Sequence, residues 1–119
     1  MNISEYKNEV VATITEPMIS YMEEWPEDCS YTAQDVEKCK AILFEYLEAL
    51  DAITEPDDEA IMEQVKNVVE ALNTLNEETD YSLIETDARE DICEFINTTA
   101  AECGLEEFYD DVTEEWREW

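Results

Sequence analysis

Cysteines are the residues in this chain best suited to chemistry, because the sequence contains no histidine. Cys29 and Cys39 are ten residues apart, and so are Cys93 and Cys103. Zinc sites usually take their ligands in pairs separated by about two to four residues on a tight turn. On one helix, Cys93 and Cys103 would be about 15 Å apart at 1.5 Å per residue, which excludes a disulfide or a shared metal between them. The spacing therefore favours buried free thiols.

Carboxylates are the second chemical resource, with 34 aspartates and glutamates in 119 residues. A calcium-binding EF-hand loop needs spaced acids around a turn glycine and a glutamate at its end. Asp57, Asp58 and Glu59 lack such a glycine, and the single glycine, Gly104, lies outside any matching loop. One glycine cannot build a phosphate-binding loop, and no serine stands in a glycine-rich elbow. We therefore predict that the protein is not an enzyme and has no catalytic residue, metal or cofactor.

The net charge of −28 is the dominant property of the composition. So much like charge destabilises the folded state by self-repulsion, and it disfavours nucleic acid or an anionic membrane as a partner. It favours a basic partner or bound cations instead. With 45% apolar residues, the chain differs from a disordered acidic tail, and its length predicts one domain over 1–119.

The start of the chain bears on the compartment. Met1-Asn-Ile-Ser-Glu lacks the basic stretch and apolar run of a secretory signal. No apolar run in the sequence approaches the length of a transmembrane helix. We therefore expect a cytoplasmic protein with reduced cysteines.

One glycine and three prolines leave little material for hairpins and favour helices joined by short polar segments. Pro17 interrupts the first apolar stripe without changing its phase, which favours a kinked helix over a second helix capped by Thr15. Pro26 ends this segment. From Val10 onwards the spacing follows one helical face, and the predicted stripe consists of Ile3, Val10, Val11, Ile14, Met18, Tyr21, Met22 and Trp25.

The two middle segments carry the strongest helical patterns. Thr32 and Asp35 resemble a capping box at the start of a helix over about 33–53. This helix is apolar around most of its circumference, which is typical of a buried, central helix. A second helix over about 57–76 follows a start signal at Thr54-Glu-Pro and has one apolar face.

The last third predicts one more long helix and a short one. Thr86 or Asp87 should cap the long helix, and Gly104 falls where a helix needs a left-handed residue to stop. Thr113 can cap the short helix. The sequence therefore predicts an all-α, single-domain bundle of about four to five helices, with helix 33–53 central.

Two tryptophans follow Thr113 on the short predicted helix. Trp116 and Trp119 are three residues apart and would lie on one side of it. Tryptophan buries a large apolar area, so we predict that both close the core, with Trp119 the more exposed.

Two sets of acidic residues differ in their local role. Those in the first turns of predicted helices stabilise the helix dipole: Asp57, Asp58, Asp87 and Glu114. Three loop clusters have no such role, and we predict that these bind the partner. The clusters are Glu23, Glu24, Glu27 and Asp28; Glu77, Glu78 and Asp80; and Glu106, Glu107, Asp110 and Asp111.

Three stretches of the last third share a pattern with known proteins: Leu83-Ile-Glu-Thr-Asp-Ala-Arg-Glu-Asp-Ile, Ala100-Ala-Glu-Cys-Gly-Leu and Asp111-Val-Thr-Glu-Glu-Trp-Arg-Glu-Trp. They resemble the C-terminal pattern of an all-helical family of bacterial immunity proteins. Small acidic proteins of this kind neutralise polymorphic toxins, including those of contact-dependent growth inhibition. The resemblance implies a basic toxin as the partner, a nuclease and in particular an RNase, whose active site or substrate groove is covered.

Two other functions fit the composition. A phage-type mimic of nucleic acid would inhibit a host defence nuclease or a DNA-binding protein, and it would carry evenly spread charge. A cation-buffering protein would bind calcium with saturable heat at micromolar concentrations. We therefore keep both functions as alternatives.

Overall fold

The computed structural model describes residues 1–107 and 110–119. Its N-terminal rod consists of α1 (Ile3–Glu9), a π-helical segment (Val10–Thr15) and α2 (Glu16–Glu24). The longer helices are α3 (Ala33–Asp51), α4 (Asp58–Glu78) and α5 (Thr86–Cys103). No strand occurs among the described residues, so the all-α prediction is confirmed. Within the same residues, no helix combines the length and apolarity needed to cross a membrane.

The π-helical segment lies just before Pro17 and allows the N-terminal rod to remain helical on both sides of this proline. In an α-helix, proline removes an N–H, and its ring collides with the carbonyl four residues earlier. Here the Glu16 N–H donates to the carbonyl of Val11, five residues back, which is the π-helical pattern. The helix is therefore continuous across Pro17, as predicted, with a π-helical segment where we expected a kink.

The rod buries one row of residues spaced four apart. Val10, Ile14 and Met18 are buried at this spacing, and Met22 continues the row as a half-buried residue packed against the core. Three members of the predicted stripe are exposed, and the prediction was wrong for them: Val11, Tyr21 and Trp25.

Helix α3 begins with the predicted capping box and occupies the predicted central position. Thr32 Oγ1 accepts a hydrogen bond from the Asp35 N–H at 3.3 Å, and the Asp35 carboxylate accepts one from the Thr32 N–H at 2.9 Å. α3 packs against every other helix of the fold. It ends at Asp51, so Ile53 lies just beyond it. The buried residues of α3 are Val36, Cys39, Leu43, Tyr46, Leu47 and Leu50.

Helix α4 is longer than predicted at its C-terminal end and is capped by a different residue. The residue before a proline avoids the α region, so Glu55 cannot start a helix capped by Thr54. Instead, the Asp57 carboxylate caps α4 by accepting the Ala60 N–H at 2.8 Å. The predicted acidic loop after residue 76 was wrong in part, because Glu77 and Glu78 still belong to α4.

Helix α5 ends as predicted and begins one residue earlier. Glu85, and not Thr86 or Asp87, occupies the N-cap position. Gly104 has a φ of +116°, a left-handed conformation that favours glycine. The Leu105 N–H then donates to a carbonyl in the last turn of α5, which satisfies an otherwise unpaired acceptor.

The C-terminal residues do not form the predicted short helix. Residues 112–116 make a single turn, and Thr113 does not cap a following helix. Its hydroxyl instead donates to Asp111 Oδ1 at 2.6 Å. Trp116 and Trp119 are both half-buried and pack against the core, so they close it from the outside without a helix.

The central position of α3 generates a stability prediction. Leu47 is fully buried, so Leu47→Ala should lower the free energy of unfolding by about 2–5 kcal/mol by leaving a cavity. Urea unfolding followed by circular dichroism measures this change. Glu45→Ala, at an exposed position of the same helix, is the control and should change the value by less than about 0.5 kcal/mol. Equal losses for the two variants would contradict a core centred on α3.

Candidate functional site

An open groove of about 630 Å³ lies between α2, the α4–α5 loop and the first turns of α5. We call it the α2–α5 groove, and its volume is within the range of sites that hold small ligands or side chains. Its apolar lining includes Ile14, Pro17, Met18, Leu83 and Ala88. Its carboxylates are Glu24, Glu85, Asp87 and Asp91. The groove therefore combines an apolar floor with a negatively charged rim.

Two tyrosines form the aromatic wall of the groove. Tyr31 is 6% exposed, and its hydroxyl donates to the carbonyl of Met18 at 2.7 Å. Tyr21 stacks on it with ring centroids 6.5 Å apart and 26° between the planes, but it remains 41% exposed. Burial raises the pKa of Tyr31, and the nearby Glu85 charge contributes to the same effect, so the phenol is neutral. The wall therefore presents one exposed ring on a fixed, uncharged support.

The carboxylates of α5 lie close to one another without basic partners. Burial raises the pKa of Asp91, and the charges of Glu94 and Asp87 raise it further. These three acids are spaced four and three residues apart, positions at which like charges destabilise a helix. Among the described residues, none of them forms an ion pair. The α5 side of the groove therefore holds negative charge at a cost in folding stability.

A buried polar network holds the α4–α5 loop, which forms another part of the wall. Asn76 Oδ1 accepts the Ile84 N–H at 2.9 Å, and Thr79 Oγ1 accepts the Leu83 N–H at 3.3 Å. Asn76 and Thr79 are 3% and 5% exposed. Buried hydrogen bonds of this kind are costly to break, so the loop approaches the groove in a fixed conformation.

The same loop contains two consecutive left-handed residues. Asp80 and Tyr81 have φ values of 58° and 62°, which is uncommon outside glycine and costs of the order of 1–3 kcal/mol for each residue. The Tyr81 N–H donates to the carbonyl of Asn76 at 2.7 Å, which helps to hold this turn. The side chain of Tyr81 is consequently 59% exposed.

The first predicted acidic cluster reaches the groove. Glu23 and Glu24 are the last residues of α2, and Glu27 and Asp28 follow in a turn. All four are exposed. Glu24 lines the α2–α5 groove, so this cluster borders it.

The second predicted cluster lies where α4 passes into the α4–α5 loop. Glu77 and Glu78 occupy the last helical turn, and Asp80 follows in the left-handed turn. All three are exposed. None of the three lines the α2–α5 groove, although Ser82, two residues after Asp80, does.

The third predicted cluster begins at the opposite end of α4. The Asp58 carboxylate accepts the N–H groups of Glu106 and Glu107 at 2.8 and 3.0 Å. Because α4 has 21 residues, this point is about 30 Å along the helix from Glu77 and Glu78. The structure therefore separates Glu106 and Glu107 from the second cluster.

Asp111, the last member of that cluster, differs from its exposed neighbour Asp110 because its carboxylate has internal partners. Oδ1 accepts hydrogen bonds from the Thr113 N–H (2.9 Å) and from the Asn97 amide (3.2 Å), and Oδ2 pairs with Arg117 at 3.2 Å. Burial opposes ionisation of Asp111, but hydrogen bonds from Thr113 and Asn97 and the Arg117 charge outweigh it and lower its pKa. Asp111 therefore fastens the C-terminal segment to α5.

Sequence reasoning missed most of the groove. Glu85 and Asp91 were in no predicted cluster, and Asp87 was assigned to helix-dipole stabilisation. A signal was present, because Asp87, Asp91 and Glu94 place like charges at helical spacing, and Asp91 and Glu94 lie beyond the first turn, where they do not stabilise the helix dipole. Nothing in the sequence indicates that Tyr21 lies near these residues, because their proximity depends on how the N-terminal rod and α5 are placed around α3.

The four cysteines are free thiols in the structure. Burial raises the pKa of Cys39 to about 12, and burial also raises the pKa of Cys93 and Cys103, so these three are protonated at neutral pH. In the described part of the chain, no group of three or more cysteines and acids is arranged to hold a metal ion.

The chain belongs to DUF5713, a family of unknown function, whose profile matches residues 15–119. The matched range covers α2 and all three long helices, and therefore the whole α2–α5 groove except Thr13 and Ile14. Comparison with curated proteins and with solved structures found no match.

The Asp111 contacts predict a pH-dependent stability. Its pKa in the folded state is below the ordinary value of 3.8, so its contribution is present above pH 3.8 and is lost as the pH falls through the folded pKa. Asp111→Asn should lower the free energy of unfolding at pH 7 by about 1–3 kcal/mol, because a charged acceptor is removed. Asp110→Asn removes the same charge at an exposed position and is the control. Urea unfolding at pH 7 and in acid measures both variants, and a difference that persisted below the folded pKa would contradict this role.

Proposed function

We propose that this protein is an immunity protein that binds and neutralises a basic protein toxin, and that the α2–α5 groove lies at the centre of its contact surface. The observation that carries this proposal is a preformed groove bordered by carboxylates that have no basic partner within the described residues. Their repulsion destabilises the folded chain, and a cationic partner would relieve it. Glu24, a member of the first predicted acidic cluster, lines this groove together with Glu85, Asp87 and Asp91, which supports a single contact surface.

The charge of the whole molecule supports a basic partner. The described residues form three ion pairs, which are Lys7–Glu48, Lys40–Glu37 and Arg117–Asp111. Most of the 34 acidic residues therefore contribute to an unneutralised field. Such a field accelerates the encounter with a positively charged protein and repels anionic partners.

The proposal of a toxin rests on the resemblance of residues 83–92, 100–105 and 111–119 to immunity proteins. A nuclease toxin must present lysines and arginines where its substrate phosphates bind. An acidic surface that occupies this region excludes the substrate by charge and by volume. A nuclease, and in particular an RNase, is therefore the toxin class we propose, and the cytoplasm is where the immunity protein would act.

The size of the molecule constrains how it would cover a toxin. A standard interface buries about 800 Å² on each partner, which is roughly a ninth of the 7000 Å² surface of this chain. We propose a face of this size centred on the groove. Glu106 and Glu107 are too far along α4 to be central to the same face, so we assign them a peripheral part.

The direct experiment is capture of the partner. The tagged protein is purified at low salt from its source, with the neighbouring reading frames intact, and bound proteins are identified by mass spectrometry. We expect a basic protein with a nuclease domain whose activity is inhibited in the complex. Recovery of no basic protein would contradict the proposed function.

Salt should have opposite effects on folding and on binding. Added salt weakens both the repulsion within the chain and the attraction to the partner. The reason is that the Debye length falls from about 10 Å at an ionic strength of 0.1 M to about 3 Å at 1 M. We therefore expect the melting temperature of the free protein to rise with sodium chloride, while affinity for the toxin falls. Calorimetry and titration across one salt series measure both. An affinity independent of salt would indicate an apolar interface and contradict the proposal.

Neutralising the groove carboxylates should weaken toxin binding without unfolding the protein. The test variant carries Glu85→Gln, Asp87→Asn and Asp91→Asn. The variant removes the repulsion between Asp87, Asp91 and Glu94 but also the interaction of Asp87 with the helix dipole, so it should remain folded with a melting temperature close to that of the original protein. Its affinity should fall by about 10-fold or more, as expected when several contact charges are removed.

A second triple variant loses the same amount of charge on another surface. It distinguishes the effect of local contacts on affinity from the effect of total charge. Glu59→Gln, Glu63→Gln and Glu70→Gln change three exposed residues of α4 and should leave affinity within about threefold, because charges away from the contact act mainly through the screened field. Equal losses for the two triple variants would favour the alternative function, an evenly charged mimic of nucleic acid.

A further inference from the structure

The α2–α5 groove is suited to one kind of side chain. Its floor is apolar at Met18 and Leu83, one wall is aromatic, and its rim carries the Asp87 and Asp91 carboxylates. A long apolar stem that ends in a cation matches all three parts. A purely apolar ligand would leave the carboxylates unpaired, and an anion would be repelled by them.

The ring of Tyr21 makes the groove more suitable for one of the two common cationic side chains, arginine and lysine, than for the other. This exposed ring stacks on Tyr31, whose hydroxyl donates to the carbonyl of Met18. A guanidinium group can stack flat on such a ring and still form paired hydrogen bonds with a carboxylate. An ammonium group is more strongly hydrated and lacks this planar geometry, so the site favours arginine over lysine.

The start of α5 supplies donors for the backbone next to that arginine. The first N–H groups of a helix have no partner within it, and Glu85 provides no side-chain cap. Thr86, Asp87 and Ala88, which carry these N–H groups, line the groove. They can donate to a carbonyl oxygen of the incoming segment, so a peptide segment fits better than a free cation.

We infer that the α2–α5 groove receives an arginine of the partner, with its guanidinium group between the Tyr21 ring and the carboxylates of Asp87 and Asp91. This inference rests on the proposed function and specifies the residue type that the groove recognises. A second copy of this chain is disfavoured as the occupant, because it carries the same net charge of −28.

The test uses the full-length protein and two peptides of defined sequence. One is the blocked hexapeptide Gly-Gly-Arg-Arg-Gly-Gly, and the other has lysine in place of both arginines. Each is titrated at low salt into the isotopically labelled protein and followed by nuclear magnetic resonance. We expect the arginine peptide to bind about two- to fivefold more tightly, with shifts at the Tyr21 ring and at the amides of residues 86–88. Equal affinity for the two peptides, or no shift at these positions, would overturn the inference.

Variants of Tyr21 test the stacking directly. Tyr21→Phe retains the ring and should keep the preference for arginine, whereas Tyr21→Ala should abolish it. Tyr81→Ala removes an exposed tyrosine that does not line the groove and should keep the preference. Circular dichroism confirms that each variant is folded. Retention of the preference by Tyr21→Ala would overturn the inference.

The partner experiment keeps this inference distinct from the proposed function. Suppose that a basic toxin is captured, and that the Tyr21→Ala variant and the groove triple variant each bind it as tightly as the original protein. The inference then fails while the proposed function stands. If no basic protein is captured but the arginine peptide binds at Tyr21, the proposed function fails while the chemistry of the groove is supported. Loss of toxin affinity in both groove variants supports both.

Discussion

Repulsion among carboxylates is the constraint on which the rest of this structure depends. With a net charge of −28 and three exposed or half-exposed ion pairs among the described residues, charge pairing contributes little cohesion. Cohesion comes from one continuous apolar core around α3. Each helix contributes its own apolar face, so the acids can remain on the outer faces, where water screens them.

The scarcity of basic residues also explains how the loops are held. Asn76, Asn97 and Asp58 accept the backbone N–H groups of Ile84, Val112 and Glu106. Backbone N–H groups are donors that every residue except proline supplies, so they can replace lysines and arginines as partners for side-chain oxygens. The side chains that fasten loops to α4 and α5 are thus different residues from the carboxylates that line the α2–α5 groove, which form no ion pair among the described residues.

Prediction from sequence succeeded where the determining interactions are local. The capping box at Thr32 and Asp35, the apolar face of α4 and the stop at Gly104 involve residues within about one or two helical turns of one another. It failed where a local rule met a distant or unusual constraint. Tyr21 and Trp25 were placed in the buried stripe but are exposed, and Asp111 holds Thr113 in a turn where a helix cap was expected.

The sequence by itself determined the all-α class and the excess of negative charge. These properties follow from helical periodicity and composition, which need no knowledge of packing. The tertiary structure decided which carboxylates act together. Glu24 and Asp91 are far apart in the chain and meet at one groove, because the N-terminal rod and α5 both pack against α3. The proximity of residues so far apart in the chain depends on long-range contacts, and these produce no periodic pattern in the sequence.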